Sequence, residues 1–185
     1  MDLSKKRIAV LGTGANGAGI GADLVRAGLN VTFIDQWPDN VQAIRDSKLQ
    51  VILRETETFE VEVETLHLCQ VSELKENFDA VLLLVKAYDT KWACQLIEPY
   101  LAVDGFIVGV QNGMTGQDIA DVVGPDRALA AVIEVTSAMY EPGVVERHSG
   151  HDRSWFAVGP NNPEASKHVP MAAQLLELAG VVEQV

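Results

Sequence analysis

The most constraining feature lies within the first 27 residues: a short apolar run, Arg7–Leu11, a glycine-rich turn, and an amphipathic stretch, Ala15–Ala27. The turn reads Gly12-Thr13-Gly14-Ala15-Asn16-Gly17, which is G-x-G-x-x-G. Alone, three glycines at that spacing carry little information. Flanked by a strand on one side and a helix on the other, they restrict the chain to a β-turn-α unit whose turn admits an anion. In that setting Gly12 permits the tight turn, Gly14 lets the backbone approach a pyrophosphate, and Gly17 lets helix and strand pack closely. The anion then sits at the positive end of the helix.

The pattern continues in the same sense. Val31–Asp35 reads as a second buried strand and Pro38–Ser47 as a short helix opened by proline. Leu49–Leu53 and Thr58–Leu66 read differently. Phe59, Val61 and Val63 alternate with Glu60, Glu62 and Glu64, which predicts a strand with one wet face and, with its neighbour, an inserted antiparallel hairpin. Asp79–Val85 is a continuous apolar run of the buried parallel type. Helices are predicted at Thr90–Tyr100, Thr115–Val123 and Pro163–Ala179, and strands at Gly105–Val110, Leu129–Val135, Val144–Arg147 and Trp155–Val158. Val181–Val185 begins a further element. Strand–helix alternation over the first two-thirds predicts an α/β, Rossmann-type, doubly wound, mostly parallel sheet carrying the hairpin, with residues 1–185 as one nucleotide-binding domain.

Composition removes several functional classes. A net charge of -12 disfavours nucleic acid and anionic membranes, which need a basic face. It does not oppose binding of a phosphate by backbone amides. The two cysteines, Cys69 and Cys94, have no metal-type ligand at a familiar spacing, so no metal site is expected. Without a secretory leader or a long apolar span, a cytoplasmic location is expected. His67, His151 and His168 are scattered and are read as structural or surface residues. Ser137 lacks a G-x-S-x-G setting, so hydrolase chemistry is not expected.

Three strand ends carry polar residues where open α/β sheets bind ligands. Asp35 closes the second strand about 20 residues past the glycine turn, where a carboxylate accepts hydrogen bonds from ribose hydroxyls and repels a 2′-phosphate. Gln36 follows it, so no arginine stands there, and NAD is favoured over NADP, with Arg45 and Lys48 the cations that could still reach a 2′-phosphate. Trp37 offers a ring to cover an adenine or to pack. Lys86 follows the Asp79–Val85 run and suits an anion or a carbonyl. Asn112, in Gln111-Asn112-Gly113-Met114, offers a donor and an acceptor. Trp92 and Trp155 read as core or domain-contact residues.

The glycine turn, Lys86-Ala87-Tyr88-Asp89-Thr90, Gln111-Asn112-Gly113-Met114 and the later Gly143–Gly150 segment occur in an order and spacing that resembles the ketopantoate (2-dehydropantoate) reductase family over nearly the whole chain. The resemblance implies hydride transfer from NAD(P)H to the carbonyl of a 2-keto acid. It implies that Gly12, Thr13, Gly14, Ala15, Asn16 and Gly17, with Asp35 and Gln36, hold the cofactor. Lys86 and Asn112 would lie beside both nicotinamide and substrate, as binding and catalytic groups. His148 fits the pattern too and is read as structural. The family's biosynthetic members favour NADPH and carry an arginine where Gln36 stands. They also have a second, helical domain that supplies a general-acid lysine. This chain stops near the start of that domain, so the expectation is a cofactor-binding half, inactive alone, whose homodimerisation would run through the other half. Two alternatives stand beside it: another β-hydroxyacid or opine-type dehydrogenase, and a non-catalytic dinucleotide-sensing module.

Overall fold

In the computed structural model, which describes residues 2–53 and 57–185, β1 (Arg7–Leu11) is an inner strand of an eight-stranded sheet. Met1, part of the charged start, lies outside the described residues. Buried on both faces, β1 pairs in parallel with β2 (Asn30–Asp35) on one side and β6 (Phe78–Leu83) on the other. Between β1 and β2 runs α1 (Ala15–Arg26); Gly28, at φ +80°, ends it as the sequence predicts. α2 (Pro38–Ser47) follows, with proline in its first turn.

The remaining elements are β3 (Leu49–Leu53), β4 (Glu57–Val61), β5 (Glu64–His67), α3 (Thr90–Ile97), β7 (Leu101–Val110), α4 (Gly116–Val123), β8 (Ala128–Glu134), β9 (Ser137–Glu141), β10 (Val144–Arg147), β11 (Trp155–Pro160), α5 (Val169–Glu177) and β12 (Val181–Gln184). The main sheet has the order β12-β11-β8-β7-β6-β1-β2-β5. From β5 to β8 neighbouring strands are parallel; β11 reverses against β8, and β12 runs parallel to β11. Strand order changes direction between β1 and β6, which opens a crevice outside their carboxyl ends. One core, on the α3 and α4 side, gathers Leu11, Ile34, Leu83, Ile97 and Ile119; the other, on the α1 side, gathers Ile20, Phe33, Leu49, Val145 and Leu175.

Several expectations change. The single strand expected at Thr58–Leu66 is two. β4 pairs antiparallel with β3 as a hairpin, whereas β5 pairs in parallel with β2 and extends the main sheet. The hairpin is in turn half of a second sheet, β4-β3-β10-β9, in which β10 lies parallel to β3. This sheet packs on α1 from the side away from the main sheet, which is why Ile20 and Leu24 share one core with Val51, Val61 and Val145. The helix expected over Pro163–Ala179 is broken: Pro163–His168 is 3-10, and α5 restarts at Val169 with Pro170 in its first turn. Proline has no N–H and its ring crowds the carbonyl four residues back, so it begins a helix better than it continues one.

Arg147 fastens the second sheet. Only 3% exposed, its guanidinium pairs with Asp23 of α1 and donates to the Ser154 hydroxyl and the Ser149 and Ala179 carbonyls. Burial raises the Asp23 carboxyl above its ordinary pKa, with the Arg147 charge pulling the other way.

Candidate functional site

The crevice between β1 and β6 is a cleft of about 460 Å³. Its floor is the glycine turn. Gly12 takes φ +95°, and a Cβ there would meet the Val85 amide at 2.6 Å. A Cβ on Gly17 would lie 2.0 Å from the Gly12 carbonyl oxygen, so turn and helix touch only because Gly17 lacks one. Gly14 differs: nothing lies within 4 Å of its Cβ position, and that open space faces the cleft. It caps α1 with no side-chain bond, and the first turn holds no acidic residue. The first-turn amides of α1 have no intrahelical acceptors, leaving a field of donors suited to an anion.

Thr13 does not line the cleft. It is fully buried, and its amide and hydroxyl both donate to Asp35 Oδ2 at 2.7 Å. The Trp37 amide donates to Asp35 Oδ1 at 2.8 Å. A carboxylate has about four acceptor positions, so Asp35 keeps one, on Oδ1, while it fixes the turn. Asn40, also fully buried, adds a second tie: its Nδ2 donates to the Thr13 carbonyl at 3.1 Å, and its Oδ1 accepts from the Gly143 amide at 2.9 Å. The glycine turn, the end of β2 and the β9–β10 turn are thus one hydrogen-bonded unit. Asn40 carries no local sequence signal; it is one polar residue in a short helix.

Gly12, Gly14, Ala15, Asn16, Gly17, Asp35, Gln36 and Lys86 converge on the cleft, joined by Trp37, Tyr88, Trp92 and Ser137. Lys86 is exposed and forms no salt bridge among the described residues; nearby Asp89 is engaged by Trp92 Nε1 at 2.6 Å. Asn112 is not among the cleft-lining residues. It is exposed after β7, and its Oδ1 accepts from the Ile133 amide at 3.0 Å. Arg45 is turned away, bonded to the Thr65 carbonyl and Gln70, and Lys48 faces Glu62. His148 sits beside Glu146, His151 bonds the Glu177 carbonyl, and His67 spans Cys69 and the Gln36 carbonyl. Among the described residues no group of three or more His, Cys, Asp or Glu side chains is placed to hold a metal, and no helix is long and apolar enough to cross a membrane. Trp92 and Ser137 are the cleft residues that sequence reasoning set aside. Both lie outside the recognised motifs, and Ser137 arrives from a sheet whose pairing has no local signature.

The family model for ketopantoate reductase PanE/ApbA matches residues 8–161. The chain belongs to the ketopantoate reductase family. A 2-dehydropantoate 2-reductase of Lactococcus lactis is 32% identical over 117 residues, covering 60% of this chain and 35% of that protein. Its counterpart in Streptococcus pyogenes is 24% identical over 173 residues, covering 93% of this chain and 54% of the relative. Among solved structures, a PanE/ApbA family ketopantoate reductase from Ralstonia eutropha superposes with a TM-score of 0.81 at 29% identity, over 97% of this chain and 56% of that one. D-mandelate dehydrogenase, solved with NADH and anilino(oxo)acetate, gives a TM-score of 0.84 at 22% identity with the same coverage, a likeness of fold. The chain therefore spans about half the length of the Streptococcus relative and of both structures.

Proposed function

We propose that this chain binds a nicotinamide dinucleotide, NADH in preference to NADPH, and forms the cofactor half of a reductase acting on a 2-keto acid, ketopantoate or a close analogue. The observation that carries the reading is the cleft itself. It lies at the reversal of strand order, and its floor offers first-turn amides, no acidic residue, and open space over Gly14. Those features fit a pyrophosphate, and about 460 Å³ lies within the range of small-ligand clefts. The remaining acceptor position on Asp35 fits a ribose hydroxyl. Arg45 and Lys48 are engaged elsewhere and Gln36 stands at the rim, so among the described residues neither of the cations weighed for a 2′-phosphate faces that position.

When bound, the dinucleotide supplies the hydride. The residues of this chain do the rest of what falls to this half. Lys86, which lines the cleft and forms no salt bridge among the described residues, attracts the keto acid carboxylate and polarises the carbonyl. Asn112, its oxygen held by Ile133, keeps its amide N–H groups free to donate to the substrate. Reduction of a ketone also needs a proton donor at the developing alkoxide. We place that group in a further domain, as the family resemblance implies, so that this chain alone binds cofactor without turnover.

Parallel titrations with NADH and NADPH, on the chain as it stands and with Asp35→Ala, test the reading. Because Asp35 also fixes Thr13, the variant should weaken both nucleotides; the diagnostic is a narrower ratio between them. Tighter binding of NADPH by the unaltered chain would overturn the cofactor preference, and no binding of either would overturn the site.

A further inference from the structure

Two oxygen atoms beside the cleft, Asn16 Oδ1 and Ser137 Oγ, are sealed from solvent and have no hydrogen-bond partner among the described residues. Both residues line the cleft. A buried polar atom left unpaired costs stability, so two together mark a place where a partner is due. Both border the first half of α1. Gly19 lies three residues after Asn16, on the same face of α1, and Ser137 Oγ is 3.9 Å from the Cβ position of Gly19.

Ser137 is held firmly. On its N-terminal side the Thr136 amide donates to Ser149 Oγ at 3.0 Å, and the Thr136 carbonyl accepts from the His148 amide at 2.8 Å. Ser137 itself pairs across the second sheet with Arg147, the residue anchored to α1 through Asp23. The backbone is thus fixed while the hydroxyl stays free to rotate. Location follows from β9. Its far end leads into the turn at Gly143, which Asn40 ties to α2 near the Asp35 rim. Ser137 begins the strand, five residues long, and so lies at the end away from that rim.

We propose that Asn16 and Ser137 together bind the hydroxyls of the second ribose of the dinucleotide, the one that carries the nicotinamide. The inference rests on the reading of the cleft as a dinucleotide site. Phosphate oxygens only accept, so a phosphate would serve the Ser137 hydroxyl and leave Asn16 Oδ1 facing another acceptor. A ribose hydroxyl both donates and accepts, and a pair of them meets both side chains at once. The adenosine ribose falls to Asp35 on the opposite rim.

The test compares three ligands that differ at this point: ADP, which lacks the second ribose; ADP-ribose, which has it; and NADH. Calorimetric titrations are made on the unaltered chain, Asn16→Ala, Ser137→Ala and Ser137→Thr. Each alanine variant should weaken ADP-ribose and NADH by about five- to tenfold, the effect of one lost hydrogen bond. ADP affinity should be unchanged, and Ser137→Thr should bind ADP-ribose like the unaltered chain. Melting of unliganded Ser137→Ala should not fall, because its hydroxyl has no partner to lose. Equal weakening of ADP, or no weakening of any ligand, overturns the ribose assignment while the cleft reading stands. Failure of the unaltered chain to bind any of the three overturns both.

Discussion

Removing the Asn40 side chain tests how firmly the fold itself holds the glycine turn. In Asn40→Ala the Thr13 carbonyl loses its donor and the Gly143 amide its acceptor, both in fully enclosed surroundings. A buried backbone group left unsatisfied costs about 1–3 kcal/mol, so two cost about 4 kcal/mol, less whatever a water entering the vacated volume restores. We expect a loss of about 3 kcal/mol, read as a melting temperature lower by roughly 9 °C for a domain of this size. Urea denaturation without nucleotide gives the free energy directly. Asn40→Asp sharpens the test. The introduced carboxylate still accepts from Gly143 but presents an acceptor to the Thr13 carbonyl, near the Asp35 charge. Its folded pKa is therefore raised above the ordinary value of about 3.9. Stability is then retained at low pH, where the carboxyl is protonated and can donate, and is lost as pH rises through the raised pKa. A cost below about 1 kcal/mol for Asn40→Ala would show that the turn stands without this tie and refute the reasoning.

Two further outcomes follow from buried charge. Arg147→Met leaves Asp23 partly buried without its partner and should cost about 3–5 kcal/mol in urea denaturation, with much of that recovered when Asp23→Leu is added. His168 is 8% exposed, stacks on Phe106, and has its pKa lowered by burial first and by the Lys167 charge second. Its contribution is complete above the unfolded value of about 6.5 and declines as pH falls below it, so His168→Phe should flatten the stability profile between about pH 7 and pH 5.

Local pattern carries most of the main sheet and little of what joins it to the second one. Arg7–Leu11, the helix closed by Gly28, and Pro38–Ser47 were legible because strand runs, a glycine stop and a proline start act over a few residues. The Phe59-Val61-Val63 alternation was legible as a strand, yet alternation does not say where one strand yields to another. Glu62 and Val63 turn the chain from the second sheet into the main one without breaking the period. β9 is not legible because Ser137-Ala138-Met139-Tyr140-Glu141 does not alternate cleanly, and its partner β10 finds β3 about half the chain away. The same holds at the site. Glycines and strand-end residues announce themselves by spacing, and Gly12, Gly14, Gly17, Asp35 and Lys86 line one cleft. Asn40, Trp92 and Ser137 act through contacts that only the folded chain creates. Thr13, expected to hold the cofactor by its place in the motif, turns inward to fix Asp35.

The measurement that bears most directly on the central claim is the ¹H–¹⁵N correlation spectrum of the chain, at 20.0 kDa well suited to it, recorded as NADH is added. The account predicts that the amides of Gly12 to Gly17 shift most, with Asp35, Trp37, Lys86 and Ser137 shifting alongside them. It is contradicted if the spectrum does not change at saturating NADH, or if the shifts gather elsewhere, such as the depression lined by Lys6, Asp104 and His168.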